Sequence, residues 1–199
     1  MRIIAGKYRS RRLSSLKGLT LRPTSDRLRE TLFNVLGELV IGSRFIDAFA
    51  GTGAVGIEAL SRGACEVIFI EKHASAVALI KKNLETLDVR TDTRVLSTDV
   101  LRGLQILAEE GSAAGKPREI LFLDPPYDNA ADYDRVLSFV GSSTFFSDGA
   151  VIIAEHRHKF DLPEAVENLQ RVRVLRQGDA SLSFYRRVKD SRENSAGGQ

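Results

Sequence analysis

The hydrophobic pattern of this chain switches between short apolar runs and segments in which apolar residues return every three or four positions. Leu28, Leu32 and Leu36 show the second spacing, which predicts a helix. Short apolar runs bounded by polar residues or glycine predict buried strands. The predicted strands cover residues 44–49, 66–71, 93–98, 119–124, 150–156, 172–176 and 182–188, and the predicted helices cover 24–40, 54–63, 73–87, 99–110 and 132–140.

This order of elements indicates the fold class. Strands that alternate with helices are typical of α/β proteins with a mostly parallel sheet. We therefore predict a Rossmann-like fold with a seven-stranded, mostly parallel sheet and helices on both faces. Residues 1–22 are predicted to form a small basic β-hairpin or arm, residues 23–189 the main domain, and residues 190–199 a disordered tail. Ligands of such folds bind beyond the carboxyl ends of the strands.

Charge divides the chain into three parts, although its formal net charge is only +3. Residues 1–30 carry nine Lys or Arg and two acidic residues, residues 31–170 carry 13 and 21, and residues 171–199 carry seven and three. An acidic centre with basic ends suggests a catalytic body and an edge that binds a polyanion. A solvated charged surface without a partner remains the alternative at this point.

The cysteine and histidine content and the length of the apolar runs limit which cellular compartment and which cofactors we expect. The single cysteine, Cys65, argues against a disulfide framework or a cysteine-rich metal site and suits a reducing cytoplasm. No apolar run approaches the roughly 20 residues of a membrane span, and the first residues lack the apolar core of a secretory signal. His73, His156 and His158 show no ligand pattern. We therefore expect a cytoplasmic protein without a metal.

A glycine-rich turn lies between the first predicted strand and the helix that follows it. Gly51, Gly53 and Gly56 match the pattern G-x-G-x-x-G, in which glycine permits a positive φ and a close approach of the backbone to a ligand. Glu71 ends the next predicted strand, where a carboxylate can accept both hydroxyls of a ribose. This pair predicts a site for a cofactor that contains a nucleoside, although the glycines alone would also suit a plain strand–helix turn.

Two acidic residues favour S-adenosyl-L-methionine over NAD as this cofactor. Asp47 lies four residues before Gly51, where dinucleotide-binding loops usually carry an apolar residue. A carboxylate there would repel a pyrophosphate, whereas it suits the sulfonium and ammonium groups of S-adenosyl-L-methionine. Asp99 follows the third predicted strand and can bind an adenine amino group, cap a helix N-terminus, or do both.

The run LFLDPPYDN, residues 121–129, ends the fourth predicted strand at two prolines. Proline lacks a backbone N–H and restricts the residue before it, so the strand stops and the corner is stiff. With DAFAGTGAVGIEAL, IFIEK and STDV in that order, this corner resembles the Asp/Asn-Pro-Pro-Tyr/Phe motif of class I methyltransferases that act on exocyclic amines. The resemblance implies S-adenosyl-L-methionine as the cofactor and a catalytic corner of Asp124, Pro125, Pro126 and Tyr127.

The residue types of this corner suit that chemistry. An exocyclic amine of adenine or guanine is a weak nucleophile, because its lone pair is delocalised into the ring. Hydrogen bonds from its two N–H groups to Asp124 and to the Pro125 carbonyl would free that lone pair. Tyr127 would stack on the flipped-out base, and Asp124 would accept the proton that the methylated amine loses.

The N-terminal part narrows the resemblance to one family. A basic arm that contains RIIAG is followed by the segment RPTSDRLRETLF, residues 22–33. Together they closely resemble the N-terminal part of the small-subunit ribosomal RNA guanine-N2 methyltransferases, the RsmD family. The resemblance covers residues 1–188 and implies that one guanine of 16S rRNA is methylated on an assembled or nearly assembled small subunit.

The same resemblance assigns site residues. It implies RNA contacts from Lys7, Arg9, Arg11, Arg12 and Arg22. It implies cofactor contacts from Asp47, Phe49, Gly51, Gly53, Glu71, Lys72, Asp99, Val100 and Asp124. Residues 24–29 would cover the cofactor, whereas Arg27 and Glu30 could instead form ion pairs within their helix.

Several other functions remain open from sequence alone. An adenine-N6 DNA methyltransferase shares the corner, but too few residues remain here for its target-recognition domain. A protein-glutamine methyltransferase would carry Asn in place of Asp124. An NAD(P)-dependent oxidoreductase would leave the proline corner unexplained, and an RNA-binding module without catalysis would not need the glycine turn. Nothing in the sequence requires more than a monomer.

Overall fold

The computed structural model describes residues 1–15, 25–111, 117–126 and 130–188. Its sheet consists of β1 (Arg44–Ala48), β2 (Glu66–Ile70), β3 (Thr93–Leu96), β4 (Glu119–Leu123), β5 (Val151–Arg157), β6 (Ala165–Val166), β7 (Leu169–Gln177) and β8 (Ala180–Arg187). The strand order is β3-β2-β1-β4-β5-β8-β7-β6. The strands β1 to β5 pair in parallel, and β6, β7 and β8 pair antiparallel at one end. The predicted α/β class with a mostly parallel sheet is therefore confirmed.

The sheet contains one strand more than the sequence predicted. The extra strand is β6, which has two residues and pairs with β7 at the edge. A strand of this length leaves no periodic pattern, so the predicted count of seven was wrong. The strand β7 also starts three residues earlier than predicted, and it carries a register shift between Arg171 and Arg173.

The described helices are α1 (Asp26–Leu36), α2 (Ala54–Ser61), α3 (Ala74–Thr86), α4 (Val100–Glu109) and α5 (Ala130–Ser142). Ser25 is the N-cap of α1, and its hydroxyl accepts a hydrogen bond from the Leu28 amide. This helix ends earlier than predicted because Gly37 adopts a φ of 52°, and a 3-10 turn over Gly37–Val40 follows. Across the described ranges, no helix combines the length and the apolar character that crossing a membrane requires.

Two hydrophobic layers cover the two faces of the sheet. Phe45 of β1 points into a cluster formed with α1, α2 and α3, whereas Ile46 points into a second cluster formed with α4 and α5. This alternation follows from the period of two along a strand. Both faces of β1, β2 and β4 are buried, which explains why these strands read as continuous apolar runs.

Residues 1–15, here called the N-terminal arm, form a less regular hairpin than predicted. Within the described residues, one antiparallel bridge joins Arg2 to Arg12, and turns occupy most of the segment between them. The remainder of the predicted basic segment, residues 16–22, lies outside the described residues, as does the predicted tail 190–199.

The N-terminal arm is fastened to helix α2. The buried carboxylate of Glu58 accepts hydrogen bonds from the amides of Ile4 and Ala5 at 2.8 and 3.0 Å. The carbonyl of Ser61 accepts one from the Lys7 amide at 2.7 Å. At Gly6 a Cβ atom would lie 1.8 Å from that same carbonyl, so only glycine permits this close approach. The arm is therefore a docked part of the domain surface.

Candidate cofactor site and catalytic corner

The order of the strands places two sequence motifs side by side. The chain passes from β1 to β2 and β3 on one side, whereas β4 and β5 lie on the other side of β1. This is a topological switch point, beyond which α/β proteins bind their ligands. Ala48, the last residue of β1, pairs with Leu123, the last residue of β4. The glycine turn and the proline corner therefore leave the sheet as neighbours.

The glycine turn has the backbone conformation that its sequence predicts. Gly51 and Gly53 have φ values of 53° and 76°, and Phe49 also lies in the left-handed region with a φ of 64°. Gly53 immediately precedes α2, and its amide donates to the Ala50 carbonyl at 2.7 Å. At Gly56 a Cβ atom would lie 2.4 Å from the ring of Phe69 on β2, so this glycine lets α2 pack closely on the sheet.

Glu71 holds the glycine turn from the neighbouring strand. One carboxylate oxygen accepts the Gly51 amide at 2.9 Å, and the other accepts the His73 amide at 2.8 Å. The residue is buried, whereas Lys72 beside it is exposed. A carboxylate has about four lone-pair sites, so each oxygen can still accept a hydroxyl. This arrangement fits the ribose of a nucleoside cofactor.

Asp47 lies beneath the glycine turn on the α2 side of the sheet. Its carboxylate accepts the Gly56 amide at 2.8 Å and is almost fully buried. Burial, with a smaller contribution from the charge of Glu71, raises the pKa of Asp47 to about 8, against a partial lowering by the Gly56 amide. A cation bound nearby would lower this pKa again. The observed role of Asp47 is to fix the first turn of α2, and its predicted contact with the cofactor stays a prediction.

Replacing Asp47 with asparagine is expected to remove part of the pH dependence of stability. Because the folded pKa of about 8 exceeds the ordinary value of 3.8, the folded protein keeps a proton that the unfolded chain releases between these values. Stability therefore falls as pH rises through this window, with a slope of at most about 1.4 kcal/mol per pH unit.

Urea denaturation of the wild type and of Asp47→Asn, at several pH values between about 5 and 8, measures this contribution. The wild type should lose stability relative to the variant as pH rises, and groups common to both proteins cancel in the difference. Parallel stability curves for the two proteins would contradict the assignment.

Asp99 caps helix α4, as one of its two predicted roles requires. Its carboxylate accepts the Leu101 amide at 3.0 Å, and Arg135 of α5 lies 3.8 Å away. The side chain is 48% exposed, so it remains accessible to a ligand at the end of β3. Val100 is buried in the layer beneath it. Adenine binding by Asp99 stays a prediction.

The proline corner begins directly where β4 ends. Leu123 is the last residue of the strand, Asp124 is half-buried, Pro125 is buried and Pro126 is exposed. The two prolines therefore end the strand as predicted. Tyr127, the fourth residue of the predicted catalytic corner, lies outside the described residues.

The predicted RNA-binding residues take different positions on the N-terminal arm. Lys7, Arg9 and Arg12 are exposed. Arg11 is exposed too, but its guanidinium donates to the carbonyl of Thr86 at the end of α3 at 2.8 Å. Arg22 lies outside the described residues.

One polar residue that joins the N-terminal arm to the glycine turn was missed by the sequence analysis. Asn83 of α3 is buried, and its amide oxygen accepts the Ser14 amide at 2.8 Å. Its amide nitrogen donates to the carbonyls of Ser14 and Thr52 at 3.3 and 3.2 Å. The signal that could have revealed it is a polar residue three positions after Ile80, on the apolar face of α3.

The histidines do not form a metal site in the described part of the chain, where no cluster of three or more ligating side chains occurs. His156 is buried, with its ring nitrogens 2.9 Å from the Arg157 carbonyl and from the Ser183 hydroxyl. Burial lowers the pKa of this imidazole. The structure therefore explains His156 as a hydrogen-bonded residue of the core.

Comparison with known proteins defines the class to which this fold and site belong. The solved structure of the Escherichia coli protein yhhF is 31% identical, has a TM-score of 0.79, and is matched over 96% of this chain and 99% of that one. A methyltransferase from Geobacter sulfurreducens, with 14% identity and a TM-score of 0.63, matches 82% of this chain and 80% of its own. At that identity it shows the fold alone, which is the α/β fold of methyltransferases.

Sequence comparison then identifies the family. The profile of a family described as "Conserved hypothetical protein 95" matches residues 1–186. Ribosomal RNA small subunit methyltransferase D of Escherichia coli (strain K12) is 33% identical over 187 residues, which is 94% of this chain and 90% of that protein. This chain belongs to the RsmD family, the family of that protein, as the sequence resemblance predicted.

Proposed function

We propose that this protein transfers a methyl group from S-adenosyl-L-methionine to the exocyclic N2 amine of one guanine in 16S rRNA. The observation that carries the proposal is the pairing of Ala48 with Leu123, which makes the glycine turn and the proline corner neighbours. An rRNA substrate is supported by the family, whose Escherichia coli member is named a ribosomal RNA small subunit methyltransferase.

The described residues of the glycine turn suit S-adenosyl-L-methionine. When bound, this cofactor supplies a methyl group on a positively charged sulfur. Gly51 and Gly53 provide the backbone curvature for a close approach, and Glu71 keeps lone pairs for the ribose hydroxyls. Phe49, Lys72, Asp99 and Val100 complete the proposed contacts, together with Asp47 from below and Asp124 from the corner.

The proline corner would activate and orient the amine. We assign the two acceptors to an Asp124 carboxylate oxygen and to the Pro125 carbonyl, which receive the two N–H groups of the guanine amine. Because proline restricts the backbone, both acceptors are held in place before the reaction, and little ordering remains for the transition state. Asp124 then takes the proton released by the methylated amine, and Tyr127 stacks on the base.

The substrate is proposed to be 16S rRNA within the small subunit or a late assembly intermediate. The charge distribution supports this assignment, since nine of the first 30 residues are Lys or Arg. Within this proposal the enzyme acts as a cytoplasmic monomer, with a basic segment over 1–22, the catalytic domain over 23–189 and a tail over 190–199. Lys7, Arg9, Arg11, Arg12 and Arg22 are the proposed RNA contacts.

The function can be tested by methylating small subunits in vitro. Subunits from cells that lack this protein would be incubated with the purified enzyme and S-adenosyl-L-methionine, and the modified nucleosides identified by mass spectrometry. We expect N2-methylguanine at one position of 16S rRNA, with free 16S rRNA as the parallel substrate. N6-methyladenine as the product would support the DNA-type alternative. Calorimetric binding of NAD(H) without binding of S-adenosyl-L-methionine would contradict the cofactor assignment.

A further inference from the structure

A groove of about 670 Å³ lies between the N-terminal arm and helix α1. The charged residues of its lining are Arg2 and Arg9 on the arm, Asp26, Arg27 and Glu30 on α1, and Arg62 after α2, and Asn34 of α1 adds a neutral polar group. Its volume is within the range of about 300–1,000 Å³ that is typical of ligand pockets. Of the residues assigned above to the cofactor site and to the proline corner, only Asp26 and Arg27, from the segment 24–29 predicted to cover the cofactor, line this groove.

Among the described residues, the four arginines that line this groove outnumber its two acidic residues. Arg62 forms a salt bridge with Glu58 at 2.8 Å. Among the described residues, however, Arg2, Arg9 and Arg27 form no salt bridge within 4.0 Å, and Glu30 does not pair with Arg27. The ion pair that α1 contains joins Arg29 to Asp26, so the predicted alternative of a pair between Arg27 and Glu30 is not what the structure shows. Unpaired guanidinium groups that share a concave surface repel one another, and an anionic ligand would relieve this repulsion.

The walls of the groove are held at a fixed separation from each other. Buried Arg29 of α1 donates from one nitrogen to the Arg2 carbonyl at 2.7 Å and to the Asp26 carboxylate at 2.9 Å. Glu58 binds the neighbouring amides of Ile4 and Ala5. These contacts join the arm, α1 and α2, so the groove exists before a ligand arrives. Preorganisation of this kind reduces the ordering cost of binding.

We propose that this groove binds the sugar-phosphate backbone of a single-stranded segment of the RNA substrate. The inference rests on the proposed function and adds the surface on which the substrate lies. Guanidinium groups suit phosphate because their planar N–H groups bind two oxygens at once. Glu30 would repel a bare anion, but its carboxylate can accept the 2′-hydroxyl of a ribose, and Asn34 can donate or accept beside it.

The groove also divides the arginines of the N-terminal arm into two groups. Arg9 lines the groove, whereas Arg11 is held by the Thr86 carbonyl at the end of α3 and is absent from the lining. Arg12 does not line the groove either. The RNA backbone therefore follows the side of the arm that faces α1, and Arg27 and Arg2 join Arg9 as phosphate-binding residues.

Salt-dependent binding of a short fluorescent RNA oligonucleotide tests this proposal. The double variant Arg9→Gln, Arg27→Gln should bind at least tenfold more weakly at low salt. The slope of log K against log salt should decrease by about 0.7 for each phosphate of single-stranded RNA that the variant no longer neutralises. The matched control is Arg102→Gln, an exposed arginine of α4 on the opposite face of the sheet, which should behave as the wild type.

The comparison is the double variant Arg11→Gln, Arg12→Gln. It should change the slope of log K against log salt less than the groove variant Arg9→Gln, Arg27→Gln does. A wild-type slope for the groove variant, with a reduced slope for the comparison variant, would overturn the proposal and place the RNA on the other side of the arm. Equal competition by polyglutamate and by RNA would also overturn it, since that result indicates a general polyanion surface. Circular dichroism and urea denaturation check that each variant is folded.

The experiments distinguish a wrong assignment of the groove from a wrong proposed function. If the groove variants bind RNA normally while the wild type methylates small subunits, only the groove assignment fails. If the wild type neither binds RNA nor methylates small subunits, the proposed function itself fails.

Discussion

Replacing Asp124 with alanine is expected to abolish methyl transfer, with kcat lowered by at least about 10³-fold, while S-adenosyl-L-methionine still binds. In the proposed reaction this carboxylate accepts one N–H of the guanine amine and later its proton, and alanine can do neither. The glycine turn and Glu71, which are proposed to hold most of the cofactor, are joined to each other by the hydrogen bond from the Gly51 amide. Single-turnover methylation and calorimetry with the cofactor separate the two effects.

Two further variants test whether the effect is specific to the carboxylate of Asp124. Asp124→Asn keeps one acceptor oxygen and should retain measurable activity, since the resemblance includes an Asn form of the motif. Asp134→Ala removes an exposed carboxylate of α5 a few residues after the corner and should leave turnover unchanged. Wild-type turnover in Asp124→Ala would refute the role assigned to this residue.

Replacing Glu58 with alanine is expected to lower the free energy of unfolding by about 3–5 kcal/mol, the range for breaking a buried ion pair. Glu58 and Arg29 are both fully buried, with 3.8 Å between their nearest charged atoms. The variant leaves the Arg29 guanidinium with the half-exposed Asp26 as its charged partner, and it removes the acceptor of the Ile4 and Ala5 amides.

The matched control is Glu109→Ala, which breaks an exposed salt bridge to Arg102 and should cost at most about 1 kcal/mol. Urea denaturation followed by circular dichroism measures both values. A double-mutant cycle with Arg29→Ala isolates the coupling between the two charges. If Glu58→Ala costs no more than Glu109→Ala, the pair does not fasten the N-terminal arm.

The expected loss of activity in Asp124→Ala and the expected loss of stability in Glu58→Ala concern different parts of one domain. Asp124 acts at the end of β4, where the chemistry is proposed to occur. Glu58 lies on α2, the helix that begins at the glycine turn, and connects this helix to the arm and to the groove. Asn83 makes a second connection by binding both Ser14 and Thr52. The surface proposed for RNA and the turn proposed for the cofactor are therefore connected by buried hydrogen-bonded side chains.

Local patterns in the sequence were sufficient for the two motifs and for the helices and strands other than β6. The apolar runs of β1, β2 and β4 are continuous because both faces of these strands are buried. The positive φ values of Gly51 and Gly53, and the end of β4 before the prolines, follow from the chemistry of single residues. Such features depend on neighbours within a few positions, so a single sequence contains them.

The tertiary structure alone decided which distant residues meet. The pairing of β4 with β1, the contact of Asp47 with Gly56 of α2, and the docking of the arm on Glu58 depend on register and packing. The hydrogen bonds from the arm to the Glu58 and Ser61 side chains join residues more than fifty positions apart, which no local periodicity records. The groove has the same origin, because its guanidinium groups come from three separate segments that only the folded chain brings together.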